Sequence, residues 1–246
     1  MTLEAAPGLR LSVVLPCYNE ADNLPPLLAR YAAEWHQQGL PAELILVDNG
    51  STDHTAEVLA RALARPELAF ARVVRVPQNR GFGHGTFTGL LAARGEVIGF
   101  SHADMQYGPQ DVFDAYHCLM AAPDPRRVLV KGKRAQRGWS ASLVTNTMAL
   151  LASTVLLMPL TDINAQPKLF HRSLLARLAN PPDGFQFDLY VLYCARRAGL
   201  RVLTVPVVFG RRAHGQSKWA FSFLSRYRTI WATIVYIFKL RLGAAR

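Results

Sequence analysis

Val97-Ile98-Gly99-Phe100-Ser101-His102-Ala103-Asp104-Met105-Gln106-Tyr107-Gly108-Pro109 is the stretch that organises this chain. Val97 to Phe100 is an apolar run of the length of a buried strand, and Pro109 suits the first position of a helix. The residues between them leave the end of that strand, which is where open α/β sheets bind ligands. Kept extended, the segment sets His102, Asp104 and Gln106 at i, i+2 and i+4, so an imidazole, a carboxylate and an amide face one side. Those groups suit a metal ion that holds a phosphorylated substrate. A polar turn that binds nothing fits the same residues, and the rest of the chain has to decide.

Working outward, strand and helix patterns alternate. Leu11 to Leu15 is an apolar run closed by Pro16, and after Asn23 the residues Leu24, Leu27, Leu28, Tyr31, Ala32 and Trp35 recur at helical spacing. Leu44 to Val47 reads as a second strand turned by Asp48-Asn49-Gly50-Ser51, and Asp53 is placed to cap a helix carrying Val58, Leu59, Ala62 and Leu63. Arg72 to Val76 reads as a third strand. Gly81, Gly83 and Gly85 are expected to form a flexible loop, with a helix from Thr86 that stops at Gly95.

Four strands alternating with helices predict an α/β fold: a parallel, right-handed wound sheet whose site lies at the C-terminal strand ends. Those ends carry Tyr18, Asn19 and Glu20, then Asp48, then Asn79 with the glycines, then Asp104. Gly81-Phe82-Gly83-His84-Gly85 lacks the spacing of G-x-G-x-x-G, and no glycines follow the first strand, so a dinucleotide site is excluded. The glycines instead permit close approach of the backbone to a ligand or a neighbouring loop.

The second half breaks the alternation. Val128 to Lys131 reads as a strand leading into Lys131, Lys133, Arg134 and Arg137, which either hold a phosphate or form a solvated basic loop. No charge occurs from Gly138 to Thr161, but Ser140, Ser142, Thr145, Asn146, Ser153 and Thr154, with Pro159 closing the run, make it a poor membrane span. It reads as a helix lying on the domain or on a bilayer surface. Asp162 to Phe170 is a polar loop entering a short strand, followed by a helix near Ser173 to Leu178. Gly184 to Ala198 holds another helix, with Asp188 in its first turns and Gly199 as its stop. Arg201 to Val208 is a strand that Pro206 confines to an edge or a bulge. Arg211 to Trp219 is rich in phosphate-binding donors around Gly215.

Charge is unevenly distributed. The net charge is +11, residues 1–188 hold equal numbers of acidic and basic side chains, and Asp188 is the last acid. From Phe221 to Leu242 the cations Arg226, Arg228, Lys239 and Arg241 are interleaved with large apolar groups. This is the composition of an interfacial helix on an anionic membrane surface, or of a core-packing helix with a basic outer face. Its longest uncharged run, Thr229 to Phe238, spans only about 15 Å as a helix, too short to cross a bilayer. The same interleaving argues against nucleic acid as a partner. Cys17, Cys118 and Cys194 show no metal or disulfide spacing and fit a reducing compartment. The first ten residues, with Glu4 and Pro7, are not expected to be a secretory leader.

Taken in order, these motifs resemble the family 2 glycosyltransferases of the GT-A fold, and within them the polyprenyl-phosphate (dolichol-phosphate) sugar transferases. The resemblance runs from Leu11 to about Trp219. Val14-Leu15-Pro16-Cys17-Tyr18-Asn19-Glu20 is similar to the family's opening motif, and Val47-Asp48-Asn49-Gly50-Ser51-Thr52-Asp53 to its second, whose acid reads the base. Asn79-Arg80-Gly81 is similar to the third. His102-Ala103-Asp104-Met105-Gln106 stands where the family has Asp-Ala-Asp-x-Gln, and Arg212, Gly215, Ser217 and Lys218 match R-x-x-G-x-S-K near the acceptor side.

The resemblance implies a nucleotide site at Pro16, Tyr18, Asn19, Glu20, Asp48, Gly81 and Ala103. It implies a divalent ion, Mn²⁺ or Mg²⁺, at Asp104 and Gln106, with His102 as a further ligand. The acceptor phosphate would be gripped by Arg134, Lys168, Arg211, Arg212, Ser217 and Lys218. Asp104, Arg134, Arg212 and Lys218 would carry catalysis, with Asp188 as a base if the acceptor were a hydroxyl. Two departures stand out: His102 replaces the first acid, and no arginine occurs between Gly138 and His171.

The activity implied is inverting transfer of a hexose from UDP- or GDP-sugar to a polyprenyl phosphate by a cytoplasmic enzyme peripherally bound to the membrane. Residues 1–218 would form the transferase domain and 219–246 a basic amphipathic helix. Transfer to another acceptor, or a silent relative that only binds sugar nucleotide, are the alternatives.

Overall fold

The computed structural model describes residues 5–135, 139–210 and 223–243, with side chains from 5–135, 145–210 and 227–243. The apolar runs become strands that lie side by side: β1 (Leu11–Cys17), β2 (Ala42–Asn49), β3 (Ala71–Val76), β4 (Val97–Phe100), β5 (Val128–Ala135), β6 (Lys168–His171) and β7 (Arg201–Val208). Between and after them run α1 (Leu24–Gln38), α2 (Thr55–Leu63), α3 (Phe82–Ala92), α4 (Pro109–Met120), α5 (Trp139–Leu156), α6 (Phe187–Arg197) and α7 (Phe223–Arg241). The sheet order is β3-β2-β1-β4-β6-β5-β7. β1 to β4 pair in parallel, as their alternation with helices predicts, whereas β6 runs antiparallel to both β4 and β5. Pro206 falls on β7, an edge strand, where its missing N–H is tolerated.

Side chains alternate across the sheet with period two. Val13 and Leu15 face the layer of α1, α2 and α4, while Val14, Ile45 and Val47 face α3 and, further along, α5, α6 and α7. Register does the functional work. Pairing of Cys17 with Asp48 and of Val14 with Phe100 brings the loops after β1, β2 and β4 to one edge.

One expected element is different. Gly81, Gly83 and Gly85 are not a flexible loop: Gly81, at φ 130°, is the N-cap of α3, and the other two lie inside the helix. The reason is steric. A Cβ on Gly83 would sit 2.1 Å from the Pro182 carbonyl oxygen, and one on Gly85 would sit 2.7 Å from Asn49 Cγ. Further along α3, a Cβ on Gly89 would meet Val14 Cγ1 at 2.3 Å and Val47 Cγ2 at 2.7 Å, two stiff β-branched neighbours. Alanine gains about 1 kcal/mol of helix propensity over glycine, but overpacking of this kind costs about 1–3 kcal/mol. Gly89→Ala is therefore expected to lower stability by about 1 kcal/mol, read as a lower urea midpoint at unchanged slope.

α7 docks one face on the core, with Ile237 and Leu240 buried and the Tyr193 hydroxyl donating to the Leu240 carbonyl at 3.3 Å. Its other face exposes Tyr227, Trp231, Val235 and Phe238, Leu242 is exposed just beyond it, and Leu150 and Leu157 are exposed on and just beyond α5. Among the described residues no helix is long and apolar enough to cross a membrane. The expected boundary between residues 218 and 219 lies outside the described residues.

Candidate active site

The loops after β1 and β2 are stitched into one rim. Asn19, in the left-handed region at φ 57°, donates its backbone N–H to Ser51 Oγ at 3.2 Å, and its Oδ1 accepts from Thr52 N at 2.9 Å. Asp48 Oδ1 accepts from Ser51 N at 3.1 Å, and Glu20 N donates to Thr55 Oγ1 at 2.9 Å. Pro16 lies within β1 opposite Val47. The start of α3 joins this rim: Asn79 Oδ1 accepts from Gly81 N at 2.8 Å, and Asn49 Nδ2 donates to the Gly81 carbonyl at 3.0 Å. Hence Tyr18, Asn19, Glu20, Asp48 and Gly81, distant in sequence, lie at or beyond the C-terminal ends of adjacent parallel strands. A helix N-terminus opened by glycine beside them is a natural seat for an anionic group.

Across from this rim lies the loop after β4. It starts tightly, with Ser101 N donating to the Val14 carbonyl at 3.0 Å, and Ala103 and Asp104 are buried. The segment does not stay extended. Met105 is left-handed at φ 64°, and Asp104 Oδ1 turns back to accept from Gln106 N at 3.2 Å, so the alternation assumed for His102, Asp104 and Gln106 is lost. Gln106 instead ties the loop to the end of β7, donating from Nε2 to the Gly210 carbonyl at 3.3 Å and accepting from Gly210 N at 2.9 Å. The His102 ring lies between Phe82, 4.9 Å away, and Tyr107, 6.0 Å away.

Among the described residues no three His, Cys, Asp or Glu side chains come together as a closed metal cage. A single carboxylate with an amide and an imidazole nearby suits a hard divalent ion that draws further ligands from a bound diphosphate, the usual habit of Mg²⁺ and its analogues.

The basic end of β5 is held in place by acids. Asp162, itself at φ 39°, chelates Arg134: its Oδ2 accepts from the Arg134 backbone N at 2.9 Å and its Oδ1 from Nε at 2.8 Å and also from Nη2. Burial alone would lower the Arg134 guanidinium, but the Asp162 carboxylate outweighs it and holds the group above its usual range. Burial likewise pushes Asp162 up, and its bonds to Arg134 more than reverse this. The guanidinium also lies 5.4 Å above the Phe209 ring.

Lys168 departs from the phosphate-gripping role expected of it. It is wholly buried, and its ammonium is engaged by the Asp188 carboxylate and by the Ala165 carbonyl at 3.0 Å, so it is not presented at the surface of the site. Asp188 also accepts from Gln166 Nε2 at 2.8 Å. Arg211, Arg212, Ser217 and Lys218 lie outside the described residues.

Lys131 lies beside these groups, donating to the Gly132 carbonyl at 3.1 Å and to the Asp162 carbonyl at 3.0 Å. Burial, reinforced by Lys168, pushes it down to about 7 from an ordinary 10.5. Between those values the unfolded chain binds more protons than the folded one, so this lysine makes stability rise with pH through that window. Wild type measured against Lys131→Met should gain roughly 1–2 kcal/mol between pH 7 and 9 in denaturant titrations.

Sequence reading missed Asp162, Tyr107 and Phe82. Asp162 did carry a signal, as the first charge after the uncharged stretch that begins at Gly138. The aromatic residues carried none.

This sheet, with its acid-bearing β4 loop beside the rim formed after β1 and β2, is the GT-A fold of nucleotide-sugar transferases. Solved structures share it. Glucosyl-3-phosphoglycerate synthase from Mycobacterium tuberculosis, bound to phosphoglyceric acid, superimposes with a TM-score of 0.72 at 22% identity, over 96% of this chain and 81% of that one. The same enzyme bound to Mn²⁺ and UDP-glucose superimposes with a TM-score of 0.72 at 23% identity, over 96% and 80%.

The family model for Glycosyl transferase family 2 matches residues 12–166, and the chain belongs to that family. An uncharacterized glycosyltransferase of M. tuberculosis is 32% identical over 86% of this chain and 90% of its own length. An undecaprenyl-phosphate 4-deoxy-4-formamido-L-arabinose transferase of Pseudomonas paraeruginosa is 30% identical over 85% of this chain, and that of Edwardsiella ictaluri 28% over 85%. The chain spans 60% and 62% of the length of these two relatives.

Proposed function

We propose that this protein transfers a hexose, with inversion, from a UDP- or GDP-sugar to the phosphate of a polyprenyl lipid at the cytoplasmic face of the membrane. The observation that carries the reading is the pairing of Asp188 with Lys168. A hydroxyl acceptor needs a carboxylate base, and the carboxylate nearest that role is buried and engaged by a lysine. A phosphate monoester has a second pKa of about 6 and is already largely ionised at neutral pH, so it needs positioning rather than a base. The undecaprenyl-phosphate relatives support the same acceptor class.

The nucleotide would lie on the rim of Tyr18, Asn19, Glu20 and Asp48, with its diphosphate between Gly81 and Asp104. The sugar-nucleotide and Mn²⁺ complexes of the structural relatives support that class of donor and ion. A divalent ion, Mn²⁺ or Mg²⁺, held by Asp104 with Gln106 and His102 as its neighbours, would supply Lewis-acid neutralisation of the leaving diphosphate. Arg134, fixed by Asp162, would orient the acceptor phosphate from the end of β5, and Arg211, Arg212, Ser217 and Lys218 would complete its grip. The exposed apolar face of α7, flanked by Arg228, Lys239 and Arg241, would lie on the anionic membrane surface.

The test is purified protein with radiolabelled UDP- and GDP-hexoses and polyprenyl phosphate carried in anionic liposomes. Transfer of label into lipid, with the protein floating on the liposomes, is expected. Absence of lipid-linked product with every common donor would overturn the reading.

A further inference from the structure

Three rings line up along the crevice beyond Asp104. Phe185, on the loop before α6, stacks on Phe82 at the start of α3, with centroids 5.9 Å apart and planes at 13°. Phe82 in turn meets His102 at 4.9 Å and 35°. Tyr107 backs His102 from below and is buried, whereas Phe82 and His102 are half-buried and Phe185 is 40% exposed. A large ring left this open, in register with two others, is an accessible aromatic surface that begins two residues from the carboxylate assigned to the donor diphosphate.

We infer that Phe185, with Phe82 and His102, forms a stacking platform for the apolar face of the transferred hexose. This rests on the sugar-transfer reading above. The rim of the platform selects the occupant. Arg80 and Asp183 form an ion pair at 2.9 Å beside Phe185, both more than one-third exposed, and the Asp183 carbonyl also accepts from His84 N at 3.1 Å. A pyranose offers C–H bonds on one face and hydroxyls around its edge, so it covers the rings while giving the ion pair hydrogen-bond partners. An isoprenoid chain on the same surface would strip water from Arg80 and Asp183 and return nothing, a cost that disfavours it. The hexose is one bond from the diphosphate, so it reaches rings adjoining Asp104. On this reading the side chain that replaces the family's first acid works through its ring face, by packing rather than by charge.

The experiment is calorimetric titration of wild type, Phe185→Ala and Phe185→Tyr with UDP-glucose and with UDP, repeated with GDP-mannose and GDP. Loss of one stacked ring is expected to weaken sugar-nucleotide binding about tenfold. Binding of the bare nucleotide diphosphate should be unchanged in Phe185→Ala, which also serves as the control for folding, and Phe185→Tyr should bind like wild type. Equal weakening of both ligands would place the ring against the nucleotide and overturn the inference. Unchanged sugar-nucleotide affinity would also overturn it, and a raised KM for polyprenyl phosphate would then assign the ring to the lipid. A wild-type protein that binds neither sugar nucleotide would instead overturn the proposed function itself.

Discussion

Asp104→Asn should reduce sugar transfer by about 100- to 1,000-fold, the scale of losing a preorganised group that stabilises transition-state charge. The substitution is nearly isosteric. The amide oxygen can still accept from Gln106 N, so the turn that Asp104 makes should persist. What disappears is the negative charge beyond the end of β4, and with it the group that, on the proposed reading, would hold a cation against the diphosphate. Loss should appear in kcat/KM for transfer, with the thermal midpoint close to wild type and Mn²⁺-dependent binding of nucleotide diphosphate weakened in parallel. An Asp104→Asn protein with more than a tenth of wild-type turnover would remove Asp104 from the catalytic machinery. His102→Asp, which restores a second acid to the loop, offers a contrast, because it also deletes the ring packed between Phe82 and Tyr107.

The largest effect on stability is expected from splitting Lys168 and Asp188. Both side chains are essentially inaccessible, at 0% and 3% exposure, and burial depresses Lys168 despite its partner, a sign that the charged pair is held at a cost. Removing one partner strands the other. Lys168→Met leaves the Asp188 carboxylate with Gln166 alone, and such changes cost about 3–5 kcal/mol, a large part of the 5–15 kcal/mol that domains usually possess. The double variant Lys168→Met/Asp188→Leu removes both charges and should recover most of that loss. Chemical denaturation of the three proteins checks this. A double variant as unstable as the single one would mean that the pair contributes by packing, not by charge compensation.

Much of the strand-end placement of the candidate site was legible in the residues themselves. Asp48 and Asp104 each follow an apolar run closely enough that, once the runs are parallel strands, both acids must emerge at the same edge. Pro206 narrowed β7 to an edge or a bulge, because it lacks an N–H to pair, and the sheet order places the strand at the edge. The glycines of α3 were read correctly as sites of close backbone approach but wrongly as a flexible loop. Gly81, Gly83 and Gly85 have the composition of a loop, and only the approach of Pro182 and Asn49 shows that they open a helix by close packing. The burial of Lys168 was hidden for a comparable reason, because a lysine in a polar loop looks solvated until Asp188, twenty residues away, is found beside it.

The sequence by itself determined what is periodic or local: seven short apolar strands, the helices between them, and the polar groups placed just past the strand ends. Those follow from backbone geometry that repeats every two or every 3.6 residues, and need no knowledge of the partner. The tertiary structure alone decided the antiparallel insertion of β6, the left-handed turn at Met105, the clasp of Arg134 by Asp162 and the alignment of Phe185, Phe82 and His102. Each of these depends on which distant groups meet across the sheet edge. Such meetings are set by the packing of whole layers, where a side chain's charge, exposure and orientation are fixed by neighbours that its own sequence context does not name.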